Sequence, residues 1–182
     1  MKKLYSYLLF VLSFTLLAPS CKKQPVDQLS LLPPATQTGA NTIGCLVNGA
    51  AFVPKSSGIV LGTPFKSQYS FTAQGYVFYI AGGNRGSDGT VSNVSIQTDS
   101  LKISEGEILL LSKYATPGMA SGAYAYNSTS YQTNANVTGA LTITHLDTIN
   151  LIVSATFHFN AISKEGDTVK ITDGRFDVHY QP

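Results

Sequence analysis

Tryptophan is absent from this chain, and only three histidines, two cysteines and two methionines stand among its 182 residues. That leaves little from which to build a metal centre. His145, His158 and His179 all fall on the polar side of alternating stretches, with no spacing that makes them converge. Charge is sparse as well, at 12% of residues. From Cys21 onward ten basic side chains balance ten acidic ones, so nothing concentrates a polyanion and nucleic-acid binding is disfavoured. The glycine-rich run Gly82–Gly89 lacks the Lys-Ser/Thr of a nucleotide phosphate loop and reads as a mobile hairpin loop. There is no Gly-x-Ser-x-Gly elbow, and no spacing joins a cysteine, a histidine and a carboxylate. Glu105 and Glu107 flank a turn glycine and read as solvated turn residues rather than an acid–base couple. No cofactor is called for.

One apolar run is present, from Leu4 to Leu17, behind Lys2 and Lys3. Its 14 residues fall short of the roughly 20 that cross a bilayer as a helix. Length and flanks describe a secretory signal over residues 1–20. Two cleavages compete at its end. A lipoprotein signal peptidase would cut before Cys21 after diacylation of the sulfur. An ordinary signal peptidase would read Ala18-Pro19-Ser20 as a small-x-small site. A cysteine directly after a small residue and before Lys22-Lys23 favours the first, although Ala18 stands where the lipoprotein box prefers leucine. Each buried CH₂ contributes about 0.8 kcal/mol, so two or more acyl chains make a lasting anchor. The expected address is the cell envelope, as an outer-membrane lipoprotein facing the periplasm or the surface.

Lipidation consumes one of the two thiols. Cys45, between Ile43 and Val47 on a period-two pattern, then reads as a small buried apolar residue. Without lipidation a Cys21–Cys45 bridge becomes the alternative. Residues 21–40, carrying Pro25, Pro33 and Pro34, read as a tether reaching about 60 Å at ~3.1 Å per residue.

Residues 41–182 carry abundant strand formers, with turn signals every 8–12 residues and no convincing 3.6-residue period. Asn48-Gly49 is a type I′ hairpin signal. Tyr76–Ile80, apolar on both faces, is a central strand, and Ser104-Glu105-Gly106 is a hairpin between Leu101–Ile103 and Glu107–Ser112. Asn127–Asn136 is polar turn. Ile149–Ile162 is a long strand, joined by Lys164–Asp167 to a last strand with a bulge at Asp173-Gly174, after which Phe176, Val178 and Tyr180 face inward. The expectation is an all-β domain, preferably an antiparallel two-sheet sandwich, with a β-barrel as the alternative.

Leu32-Pro33-Pro34-Ala35-Thr36-Gln37-Thr38-Gly39, followed by Gly44-Cys45-Leu46-Val47-Asn48-Gly49, resembles the opening of a family of small Bacteroidota lipoproteins of unknown function. The close, Ile171-Thr172-Asp173-Gly174-Arg175-Phe176-Asp177-Val178, resembles that family's C-terminal hairpin. The resemblance implies a lipid-anchored β domain and supplies no substrate or catalytic residue. It also weakens the stalk reading, because a recurring Leu-Pro-Pro-Ala-Thr-Gln segment has the option of docking on the domain.

Tyr114, Tyr124, Tyr126 and Tyr131 cluster beside polar turns, as rings that stack on sugars do; the competing expectation is that half of them fill the core. Asp99-Ser100-Leu101, Asp147-Thr148-Ile149 and Asp167-Thr168-Val169 match an acceptor pattern for bacterial O-glycosylation and equally match Asx-type turns before strands. Lipidation is assigned to Cys21. The expected function is a non-catalytic binding or structural module, held to the membrane by acyl chains and partnered by a glycan or an envelope protein. An envelope hydrolase or a glycan-binding accessory lipoprotein is the alternative.

Overall fold

The computed structural model describes residues 26–54, 65–113 and 116–182. Eleven strands are present among them: β1 (Thr42–Val47), β2 (Ala50–Phe52), β3 (Phe65–Thr72), β4 (Gly75–Arg85), β5 (Val91–Asp99), β6 (Ile108–Leu111), β7 (Met119–Tyr126), β8 (Thr129–Gln132), β9 (Gly139–Asp147), β10 (Ile152–Ile162) and β11 (Thr168–His179). They form one sheet in the order β2-β1-β11-β10-β9-β6-β7-β5-β4-β3. The pairs are antiparallel except β6–β7.

The chain is all-β, and its closure follows the barrel alternative rather than two separate sheets. Strand β8 makes the difference. It pairs with β7 from Ala123 to Tyr126 and reaches β10 at Ile162, closing β10-β9-β6-β7-β8 into a five-stranded ring. Two wings extend from the ring, β11-β1-β2 and β5-β4-β3. They pack face to face, as the halves of a sandwich would. The rings of Phe78 on β4 and Phe176 on β11 stack at 5.8 Å, and Tyr69 meets Tyr180 edge-on at 5.6 Å. Gln181 then bonds to both Ser67 and Tyr69, stitching β3 to the end of the chain.

Alternation drives these elements. On β10, Val153, Ala155, Phe157, Phe159 and Ala161 are buried while Thr156, His158 and Asn160 are exposed. The β1–β2 turn is the type I′ geometry that Asn48-Gly49 encodes, with φ of 49° and 83°. The bulge on β11 is also where the sequence places it. Phe157 pairs with Gly174 but Phe159 with Ile171, and Asp173 takes φ 52°. A Cβ on Gly174 would overlap the Phe157 ring.

Four expectations need correction. Gly82, Gly83, Asn84 and Arg85 belong to β4 and pair with β5, so the loop is only 86–90. Gly82 serves close packing, because a Cβ there would run into the Pro54 ring. Leu101–Ile103 is not a strand: β6 pairs with β9 and β7, and Glu107 accepts from the Ser104 amide to close the turn. The polar stretch Asn127–Asn136 contains β8. Strand β10 begins at Ile152, because the Asp147 carboxylate accepts from the Ile149 and Asn150 amides and turns the chain.

Candidate functional site

The segment expected as the far half of a stalk is a strap laid across the outer face of β2, β1, β11, β10 and β9. Gln28 Oε1 accepts from the Ala51 amide at 3.0 Å, occupying the edge of β2. Leu32 is buried. The Pro33 ring lies on Gly44, where a Cβ would sit 2.7 Å from the proline Cδ. At the far end Gln37 donates to the Thr144 carbonyl at 2.8 Å.

Asp177 locks the strap. It lies between the inward-facing Phe176 and Val178, so its carboxylate points outward, yet it is only 1% exposed because the strap covers it. Oδ2 accepts from Thr36 Oγ1 at 2.6 Å and from the amides of Thr38 and Ala40, both at 3.0 Å. Oδ1 accepts from the Gly39 amide and from Ser154 Oγ, both at 2.8 Å. Burial pushes the acid's pKa upward, but the donors from Thr36, Ala40, Thr38 and Ser154 outweigh it and hold Asp177 ionised well below the usual carboxylate range. Gly39 has φ 71° and packs beneath the His179 ring. The two sequence blocks behind the family resemblance thus meet in space, one supplying donors and the other the acceptor. Period-two reading marked Asp177 only as a solvent-facing residue of the last strand. A lone carboxylate between apolar neighbours, together with a Thr-x-Thr-Gly-Ala segment of free amides, was the available signal.

Two grooves open on the outer face of β10 and β11. One, about 440 Å³, is lined by Leu29 and Ala35 of the strap with Thr156, His158, Asp173 and Arg175. The other, about 490 Å³, is lined by Asn48, Asn136, Thr138, Asn160, Thr168 and Lys170. The second is a held shape. Asn48 Oδ1 accepts from the Lys170 amide at 2.9 Å, Asn134 Oδ1 accepts from the Asn136 and Val137 amides at 2.8 Å, and the Asn160 amide donates to the Thr138 carbonyl at 3.1 Å. Among the described residues its lining offers side-chain amides, hydroxyls and one ammonium beside Val137 and Val169, with no carboxylate.

Cys21 and Tyr114 lie outside the described residues. Tyr124 and Tyr131 face each other across β7–β8 with ring centroids 5.9 Å apart, half-buried against the core. Burial raises the Tyr124 phenol above its ordinary pKa. Tyr126, on the same strand, is exposed. Among the described residues, Tyr124 and Tyr131 thus pack partly buried against the core while Tyr126 is open to solvent. Cys45 is buried, and burial pushes its thiol up to about 12, which removes nucleophilic character. His145 and Glu105 form an exposed pair at 3.1 Å that ties the turn before β6 to β9. Backbone donation from Leu146 is the leading cause that lowers Glu105. His158 lies in the first groove and the exposed His179 ring lies over Gly39 of the strap, so the structure gathers no histidine cluster among the described residues. Of the Ser/Thr acceptor positions, Ser100 donates to the Gln74 carbonyl at 2.6 Å, while Thr148 and Thr168 are exposed.

Comparison with protein-family models, with curated proteins and with solved structures finds no match.

Proposed function

We propose that the chain is a lipid-anchored, non-catalytic binding module of the bacterial cell envelope, related to the small Bacteroidota lipoproteins its opening and closing motifs resemble. Acyl chains on Cys21 hold it to the outer membrane. The ligand surface is the Asn/Thr groove beside the β10–β11 hairpin, and the ligand is a hydroxyl-rich glycan.

The lining of that groove carries the proposal. Amides and hydroxyls on a preformed rim suit a neutral, polyhydroxylated ligand, which they orient through hydrogen bonds at little ordering cost. Hydrolysis of a glycosidic bond would instead need two carboxyl groups facing each other across the ligand, and the groove offers none. Tyr126 adds one exposed ring elsewhere on the surface.

The test is a glycan array probed with the mature chain carrying Cys21→Ser, followed by titration of any hit against Asn160→Ala and Lys170→Ala. Binding that weakens about tenfold or more in Asn160→Ala supports the assignment, a loss of about 1.4 kcal/mol. A flat array, or a hit indifferent to both substitutions, overturns it.

A further inference from the structure

We propose that the exposed apolar turn at the start of the strap, Val26 with Leu29 and Leu31, rests in the interface of the bilayer that holds the anchor, so that the domain sits directly on the membrane instead of swinging on a stalk. Acylation of Cys21, proposed above, is a premise.

Chain length sets the first constraint. The docked strap begins by Gln28, whose side chain already holds β2. Only five peptide steps separate Cys21 from Val26, and a fully extended chain spans at most about 18 Å over that distance. The strap therefore removes most of the slack that a free segment to residue 40 would have supplied. Wherever the domain turns, Val26 stays within that distance of the acylated residue.

Exposure supplies the second. Val26, Leu29 and Leu31 are 61%, 46% and 51% exposed within a segment of six residues. Leu29–Leu31 forms a single turn of 3-10 helix, fixed by the Asp27 carboxylate accepting from the Leu29 amide at 3.0 Å and by Ser30 Oγ donating to the Asp27 carbonyl at 2.7 Å. The turn is thus held in shape while its leucines stay uncovered. Apolar side chains on a short element beside a lipid anchor partition into the headgroup–acyl boundary.

Charge decides which lipids matter. By sequence Lys22, Lys23 and Asp27 follow the acylated residue, and Asp173 and Arg175 line the groove beside Leu29, three basic side chains against two acidic ones. That near-balance gives little attraction to anionic headgroups, so contact depends on the apolar side chains and is insensitive to salt. One consequence follows for the ligand groove. Asn160 lies four residues along β10 from the exposed Thr156, which lines the first groove beside the strap, about 13 Å at the strand rise. The groove therefore opens close to the headgroup layer, where a membrane-held saccharide would be presented.

The absence of tryptophan makes the test clean. Full-length lipoprotein is purified with Leu29→Trp, Leu31→Trp or, as reference, Phe71→Trp on β3 of the opposite wing, where the native ring is 73% exposed. Each is reconstituted into vesicles of equal phosphatidylethanolamine and phosphatidylglycerol, with or without brominated acyl chains, and its intact mass is recorded. Tryptophan at 29 and 31 is expected to lose more than half its emission to brominated lipid, equally at low and high salt, while tryptophan at 71 keeps its intensity. The same substitutions in unanchored Cys21→Ser protein without vesicles should emit as in water, which separates lipid contact from local packing. Acylated protein in which positions 29 and 31 behave like 71 overturns the proposal and leaves the anchor intact. A mass without acyl chains overturns the anchor, and this proposal with it.

Discussion

Replacing Asp177 with asparagine preserves shape, removes the charge and turns one acceptor into a donor. With the new NH₂ at the Oδ2 position it would confront the amides of Thr38 and Ala40. At the Oδ1 position it meets only the Gly39 amide, because the Ser154 hydroxyl can rotate to accept. The second arrangement costs less. It leaves two buried N–H groups facing each other without an acceptor, that of Gly39 and one of the new amide, at about 1–3 kcal/mol each, and weakens three charge-assisted bonds by about 1 kcal/mol each. That total is capped, because lifting the strap returns its amides to water. Lifting also uncovers Leu32, 8% exposed, whose burial contributes about 2 kcal/mol, while the freed backbone regains entropy. Asp177→Asn should therefore destabilise the strap by about 3 kcal/mol, a factor of about 100 in its opening equilibrium. Native-state hydrogen exchange reads this directly. The amides of Thr38, Gly39 and Ala40 should exchange about a hundredfold faster at equal intrinsic rate, with smaller changes for the buried amides of β10. Unchanged exchange at those three amides, with an unchanged denaturation midpoint, would refute the claim that one carboxylate holds the strap.

The same group sets a pH dependence. Its folded pKa lies below the unfolded value, so its stabilisation is complete above about pH 4 and fades as pH falls further toward the depressed folded value; the difference in stability between wild type and Asp177→Asn, followed by denaturant titration, should shrink only below about pH 4. Gly174→Ala should cost about 1–3 kcal/mol from overpacking against Phe157, visible as a lowered melting temperature with the fold retained in circular dichroism. In the Cys21→Ser chain, Cys45 should react with a thiol reagent only as fast as the domain opens, so mild denaturant should accelerate labelling in parallel with unfolding.

Local chemistry carried part of this fold into view before the structure. Asn48-Gly49 specified a turn whose positive φ values few other residues adopt cheaply, and Asp173-Gly174 marked a bulge in the same manner. Long alternating runs in β10 and β11 fixed which side faced the core. The failures share a cause: residues whose role is decided by distant partners. Gly82 reads as flexibility in isolation and is a close approach for Pro54. Thr129–Gln132 carries no apolar alternation and becomes a strand because β7 and β10 each leave it an edge. Asp177 fits the polar-out phase of its strand, and only the strap turns that outward position into a buried one. For the candidate site, Tyr124 and Tyr131 pack partly buried against the core, whereas the amide-bearing groove draws on four separate stretches of chain that no local pattern joins.

The proposed attachment through Cys21 underlies the proposed location, the short leash and the membrane-proximal placing of the groove alike. Growth with an alkyne-bearing palmitate, followed by fluorophore coupling and comparison with Cys21→Ser, measures it most directly. The account predicts a labelled band in wild type that disappears in the variant, with the protein shifting out of the membrane fraction. An unlabelled wild-type band, or mature protein released from the envelope with Cys21 joined to Cys45, would contradict it.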